Sequence, residues 1–292
     1  VGSSEKHVDG FRFLPPSLAA WIENYIPAED YKGSIPWTPL SKPLREATVA
    51  LVTSAGISLK TDPPFDMERE KREPTWGDRS YRKIPRDATE KDVNANHLHI
   101  NTDYILQDIN VMLPLARLKE FEREGVIGRL APTAYSFYGF QWQSTEFVSE
   151  AIEPMAKNMA AEGVDVVILS PACPFCCQSV GLAARHLEQA GFSTVVLTPT
   201  PEFHRAVGIP RSAAIEYPYG RPVGQVGDRD GQRAVLLETL AVLENAQRPG
   251  EIHHLPFTWP EAPKDAKWHP PEMSPLIKTY LEEIRVARRS KG

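Results

Sequence analysis

The sequence predicts an α/β fold: a mostly parallel sheet doubly wound by helices, with proline-rich arms at both ends. Short β-branched apolar runs, Ala47-Thr48-Val49-Ala50-Leu51-Val52 and Val164-Asp165-Val166-Val167-Ile168-Leu169, read as strands buried on both faces. Segments with helical spacing alternate with such runs, among them Gln178 to Ala190 and Asp228 to Glu244. Strands alternating with helices imply right-handed βαβ units and a parallel sheet.

In chain order, residues 1–45 form a proline-rich arm (Pro15, Pro16, Pro27, Pro36, Pro39, Pro43) with a short helix around Leu18 to Tyr25. The strand Ala47 to Val52 opens an α/β catalytic domain, residues 46–248. The connection Ser58 to Asn110 carries prolines 63, 64, 74 and 85 and the charged run Met67 to Glu73. A connection that long inside a compact domain reads as a lid, here one that covers the cysteines described below, or as a disordered insertion. Pro114 opens a helix through Glu124 that Gly125 closes, Val126 to Phe137 reads as a second strand, and Ser144 to Glu162 as a helix kinked by Pro154. Beyond the third strand, Ser193 to Leu197 and Ala213 to Glu216 read as strands, and Pro201 to Val207 and Asp228 to Glu244 as helices. Residues 249–292 read as a C-terminal tail with an amphipathic stretch, Pro275 to Arg285, that wraps the domain or a neighbouring subunit.

A formal net charge of −5 argues against nucleic-acid and anionic-membrane partners. No apolar stretch approaches the roughly 20 residues of a membrane span. The start, Val1-Gly2-Ser3-Ser4-Glu5, has no apolar signal-peptide region. Three clustered cysteines cannot staple distant parts of a secreted fold, so a reducing cytoplasm is the expected compartment.

All three cysteines fall in Cys173-Pro174-Phe175-Cys176-Cys177, between a strand and a helix that ends at Gly191. Pro174 suits the first helical position, which sets the Cys173 sulfur against free backbone N–H groups that favour its thiolate. Cys176, one turn on, is close enough to form a disulfide. Two thiols so placed attack an electrophile and release the product as a disulfide is made, a two-electron reduction with no other cofactor. Cys177 is a weaker catalytic candidate, because its helical neighbours Gly181 and Ala184 suit a thiol packed against the sheet.

In open parallel sheets ligands bind outside the carboxyl ends of the strands. That rule gathers Thr53, Ser54 and Gly56, the turn at Tyr138-Gly139, the cysteine turn and Tyr217 to Arg221 as candidate lining. Arg221 is a candidate carboxylate ligand, or else the partner of Glu216 or Asp228. His97 and His99, alternate residues of the long connection, are candidate proton donors to a leaving group, or packing imidazoles. The competing reading is a zinc knuckle, with the cysteines completed by His97 and His99 or by His253-His254; structural zinc wants four ligands and there is no second cysteine pair, so no metal is expected. Neither GxGxxG nor GxxxxGK occurs, so no nucleotide cofactor is indicated.

Val49 to Ile57 leading to Lys60-Thr61-Asp62-Pro63-Pro64-Phe65-Asp66, then His97 to Leu118, Gly163 to Thr198 and Glu216 to Gly224, resembles the glycine/sarcosine/betaine/D-proline reductase selenoprotein B family. The resemblance spans Val49 to Glu244. It implies a reductase subunit whose selenocysteine, paired with a cysteine further along, attacks a carbon bearing an amine or similar leaving group. By position that pair is Cys173 and Cys176, with cysteine in place of selenocysteine and hence a weaker nucleophile. It further implies a small-molecule substrate, an external thiol or thioredoxin-like reductant, and a homo-oligomer or a partner reductase subunit. The strand–Cys–helix arrangement is also similar to the Asp/Glu racemase superfamily, so the sheet is expected to be flavodoxin-like or Asp/Glu-racemase-like. No cysteine lies outside the triad, so that kinship would allow a one-cysteine lyase or decarboxylase. A zinc-binding interaction subunit is the non-enzymatic alternative.

Overall fold

The computed structural model describes residues 7–27 and 29–288, so the expectation for Val1 to Glu5 lies outside the described residues. The strands in chain order are β1 (Thr48–Thr53), β2 (Ile57–Leu59), β3 (Tyr81–Pro85), β4 (Val93–Ala95), β5 (Arg129–Leu130), β6 (Thr133–Phe137), β7 (Val166–Ser170), β8 (Ser193–Thr198), β9 (Arg211–Glu216) and β10 (Glu251–Thr258). Eight of them form one sheet, ordered β10-β9-β8-β7-β1-β6-β3, with β5 also pairing with β1. Every pairing in it is parallel except β3 with β6. β5 and β6 run along the same side of β1, and the break between them contains Pro132, which has no N–H to donate. Counting only the parallel strands, with β5 and β6 taken as one, the order is 2-1-3-4-5-6. That is the flavodoxin-like order, with its switch point between β1 and β7.

The helices are α1 (Pro16–Glu23), α2 (Met67–Arg72), α3 (Asp103–Gln107), α4 (Leu115–Glu124), α5 (Ser144–Phe147), α6 (Glu153–Ala161), α7 (Cys176–Gln189), α8 (Pro201–Val207), α9 (Arg229–Asn245), α10 (Pro275–Thr279) and α11 (Leu281–Val286). Alternation along the strands separates two apolar layers. Val49, Leu51, Val166 and Ile168 pack with Leu118 and Phe121 of α4 and Leu236 and Leu240 of α9. Ala50, Val52, Val167 and Leu169 pack with Met155 and Met159 of α6 and Val180, Ala184 and Leu187 of α7. α7 and α9 therefore cover opposite faces while β7–β8 and β9–β10 step the same way across the sheet. The β9–α9–β10 crossover has the opposite hand to β7–α7–β8, contrary to the expectation of right-handed units throughout. The cause is the loop after β9, which crosses to the α4 face, held by Val223 N–H on Val111 O (3.2 Å) and Gly227 N–H on Asp108 Oδ2 (3.0 Å).

The helix expected from Ser144 to Glu162 is interrupted by a π-helical turn, Val148–Ile152. Pro154 cannot donate back, and its ring would crowd the Glu150 carbonyl, so the wider turn absorbs the kink. The sheet also extends past the boundary expected at residue 248, because Glu251–Thr258 joins it as β10. Only α10 and α11 behave as the expected wrapping tail, with α11 packing on α1.

The N-terminal arm is anchored by a buried ion pair. Arg211 and Glu188 meet at 2.5 Å, Arg211 lies over the Trp37 ring at 3.6 Å and donates to Thr38 O (2.7 Å), and Glu188 accepts Thr194 N–H (2.7 Å). Glu188→Ala, which strands a buried guanidinium, is expected to cost about 3–5 kcal/mol in urea unfolding. Glu188→Leu combined with Arg211→Leu should recover most of that, and a double variant as unstable as the single one would contradict this assignment.

Candidate active site

The turn that carries the cysteines is fixed at its root by the parallel register Thr53↔Ser170. Ser54 N–H donates to Ser170 O (3.2 Å) and Thr53 Oγ1 donates to the same carbonyl (3.2 Å). Ser54 Oγ accepts Ala172 N–H (3.0 Å), and Ala172 O accepts Gly220 N–H (2.9 Å). The residue before Cys173 is thus clamped from β1 on one side and from the β9 loop on the other. Thr53 and Ser54, expected as lining, use their hydroxyls on this clamp. Gly56 has φ +63°, and a Cβ there would meet Asn96 O at 2.0 Å, so it allows the segment after β4 that carries His97 to pass close to the end of β1.

Cys173 and Cys176 lie at disulfide distance, with Cα atoms 5.1 Å apart. Pro174 is not the first helical residue: α7 starts at Cys176, and Cys176 N–H closes a turn onto Cys173 O (3.1 Å). Proline suits the second position of such a turn, where its fixed φ is already right. The same N–H lies 3.2 Å from Cys173 Sγ, the backbone contact expected to favour a thiolate there. Cys177 points away, 3.6 Å from Cys173 O and 3.9 Å from Thr198 Oγ1, and burial pushes its thiol up to about 12, so it stays protonated.

The long connection folds back over this turn. His97 Nε2 lies 3.3 Å from Cys176 Sγ, and His97 Nδ1 accepts the backbone N–H of His99 at 3.1 Å. Burial, then the neighbouring His99, hold His97 well below the ordinary histidine range, so the ring is neutral. A neutral imidazole whose Nδ1 accepts a hydrogen bond carries its proton on Nε2. That proton is aimed at Cys176. His99 Nε2 in turn meets Glu70 Oε1 at 2.6 Å, and Glu70 Oε2 accepts the Tyr138 hydroxyl. Tyr138 stacks on His97 with centroids 5.7 Å apart, and burial followed by the charge of Glu70 raises its pKa, keeping it a phenol donor. Gly139 passes so close that a Cβ would sit 2.7 Å from His97 Nε2 and 2.8 Å from Cys176 Sγ.

His97, Cys173 and Cys176 place one nitrogen and two sulfurs within 4.8 Å of one another, three of the four ligands of a structural zinc site. His253 and His254 lie on β10 instead, where His254 Nδ1 accepts Val8 N–H (3.0 Å). Arg221, expected to take a carboxylate or pair with Glu216 or Asp228, is buried between Tyr104 (3.7 Å) and Trp259 (4.6 Å) and donates to Ala266 O, pinning the C-terminal crossing. Glu70 was not expected at all: it sits in the charged run Met67 to Glu73, yet is 1% exposed. One turn of α2, started by Asp66 accepting Arg69 N–H (2.9 Å), turns it inward.

Phe175 is the part-exposed residue of the turn, edge-on to His99, Trp21 and Phe140. It borders two cavities. One, of about 190 Å³, is lined by Trp21, Tyr25, Trp142 and Tyr280 among others. The other, of about 310 Å³, lies between Pro174, His99 and the segment Trp268 to Ser274. Among the described residues, no helix is long and apolar enough to cross a membrane.

Residues 24–172 match the model of the glycine/sarcosine/betaine reductase selenoprotein B family, a match that ends one residue before Cys173. The D-proline reductase subunit gamma of Acetoanaerobium sticklandii is 32% identical over 223 residues, 76% of this chain and 89% of that protein. The glycine reductase complex component B subunit gamma of Carboxydothermus hydrogenoformans is 30% identical over 207 residues, 70% of this chain and 47% of that protein. The betaine reductase complex component B subunit beta of Peptoclostridium acidaminophilum is 30% identical over 186 residues, 62% of this chain and 41% of that protein. The chain spans about nine-tenths of the first and less than half the length of the other two. No solved structure matches it at comparable stringency. The family match across β1 to β7, with a relative so similar over nearly its whole length, shows that the chain belongs to the glycine/sarcosine/betaine reductase selenoprotein B family.

Proposed function

We propose that this chain is the thiol-bearing subunit of a reductase, using Cys173 as nucleophile and Cys176 as resolving thiol, with cysteine where the family name implies selenocysteine. The observation that carries the reading is the pairing of two sulfurs at disulfide distance with a neutral imidazole N–H at 3.3 Å from the second. The cysteines lie just outside the family match, so their roles rest on this geometry. The relatives are named as subunits or components of reductases, which supports a partner subunit here.

The Cys173 thiolate, favoured by the Cys176 N–H, attacks a carbon bearing an ammonium group. The C–S bond forms as the C–N bond breaks, and the amine leaves with the electron pair. Cys176 then attacks the Cys173 sulfur. The S–S bond forms, the C–S pair passes to carbon, and carbon takes a proton. In sum, an alkylammonium ion and two thiols give an alkane C–H, a released ammonium ion and one disulfide. A carbanion leaves only if a carbonyl-type group stands beside that carbon, so the substrate is an activated one. The His97 Nε2–H stabilises the Cys176 thiolate as it forms. An external thiol then reduces the disulfide.

Cys173→Ser is expected to lower turnover by about 10³-fold or more, as loss of a nucleophile does. Cys176→Ser should stop turnover but accumulate a substrate adduct on Cys173, visible by intact mass, and Cys177→Ser should cost less than about tenfold. Near-normal turnover in Cys173→Ser would reject the nucleophile.

Gly139→Ala should push His97 away from Cys176 and lower turnover by about 10–100-fold, the cost of an ångström-scale misplacement, with folding kept by circular dichroism. Unchanged turnover would show that the His97–Cys176 contact is not used.

A further inference from the structure

Cys173 and Cys176 are each 0% exposed, yet the reduction proposed for them requires contact with a substrate and with a reductant. Part of the cover over the cysteine turn has to move. The crossing from Trp268 to Pro275 is flanked by two cavities. The one of about 310 Å³ reaches His99, Pro174 and Phe175, and another of about 470 Å³ reaches His97 and Leu98. Pro270, Glu272, Met273 and Ser274 wall both. They form a partition, and lifting it merges the two spaces beside the cysteine turn.

The crossing is firmly held at its ends and hardly at all between them. At one end Trp268 is buried, donates Nε1–H to Phe13 O (2.7 Å), accepts Asn101 N–H on its carbonyl (2.7 Å) and lies edge-on to Tyr219 (4.9 Å). At the other, buried Ser274 caps α10 by accepting Ile277 N–H on Oγ (3.3 Å), with Leu276 buried behind it. Among the described residues, 269–273 belong to no helix or strand and make no backbone hydrogen bond, and all of them but Pro270 are exposed. A stretch with exposed side chains and an unpaired backbone opens at far lower cost than the core beneath it. Pro270 and Pro271 fix two successive φ angles, which leaves the lifted stretch few shapes and so favours the closed one.

We infer that residues 269–273 are a strap that closes over the cysteine turn, and that its lifting admits reagents to Cys173 and Cys176. The inference deepens the reductase reading and rests on it for what enters. It places the movable part of the cover in the C-terminal crossing rather than in the long connection 58–110. That connection is tied down inside the protein, by His99 on Glu70 and Glu70 on Tyr138.

The test follows alkylation of the reduced full chain by iodoacetamide, site by site, by peptide mass. Cys177, fully buried and facing Thr198, reports global unfolding. Labelling of Cys173 and Cys176 should depend only weakly on urea below the unfolding transition, as a small local opening does, while Cys177 should show the steep dependence of the whole fold. Pro270→Gly combined with Pro271→Gly should speed labelling of Cys173 and Cys176 about tenfold and leave Cys177 unchanged, because glycine frees the lifted strap. Should that variant not fold, Pro271→Gly alone, at an exposed position, should give about threefold. Equal rates in the unaltered and glycine chains, or labelling of Cys173 and Cys176 in step with Cys177, would overturn the inference. Because no turnover is measured, failure of the reductase reading would leave these rates as they are, and failure here would leave the thiol chemistry standing.

Discussion

The pairing of β1 with β7 is the constraint from which the site is built. Five residues in parallel register bring Thr53 level with Ser170 at the point where the strand order reverses. Two chains leaving side by side in opposite directions open a crevice there, and no side chain has to be spent to make it. Ser54 then reaches across the crevice to Ala172, so the cysteine turn starts from a fixed backbone position. Had the register slipped by one residue, the apolar faces of β1 would invert and Ser54 would lose that contact.

On that base the chain adds a second layer from far away in sequence. Residues 58–110 contribute His97, His99 and Glu70, while Tyr138 and Gly139 come from the end of β6. The close approach of Gly139 is what lets an imidazole and a thiol meet at hydrogen-bond distance in a buried place. Burial then determines the chemistry: it keeps His97 neutral, Tyr138 protonated and Cys177 a thiol. Three groups that titrate in water become fixed donors around Cys173 and Cys176, the pair proposed as the reactive element.

The parallel core was legible because its strands are short β-branched runs and its helices carry apolar residues at helical spacing. The clustered thiols were legible from their place between β7 and α7. What escaped has physical reasons. β10 includes His253, His254 and Pro256 and lies at the sheet edge, where polar residues and proline are tolerated, so it does not read as a strand. β3, Tyr81–Pro85, is the other edge and carries Arg82 and Lys83. Glu70 escaped because its run, Met67-Glu68-Arg69-Glu70-Lys71-Arg72-Glu73, has the composition of a solvated face, and only a tertiary partner, His99, draws one carboxylate inward. Arg221 was found as a notable cation, but its contacts with Tyr104, Trp259 and Ala266 needed the structure. The fold-back of residues 58–110 over the cysteines follows from the strand end it leaves, whereas the particular contact of His97 with Cys176 needed the structure.

The proposed reductase chemistry couples carbon–heteroatom cleavage to oxidation of Cys173 and Cys176. Reduced protein, free of external thiol and of air, should make one equivalent of product in a single burst. Its free-thiol count should fall by two in step, with a cross-linked peptide joining Cys173 and Cys176 by mass. Continued turnover with the thiol count unchanged would contradict the account and favour a lyase.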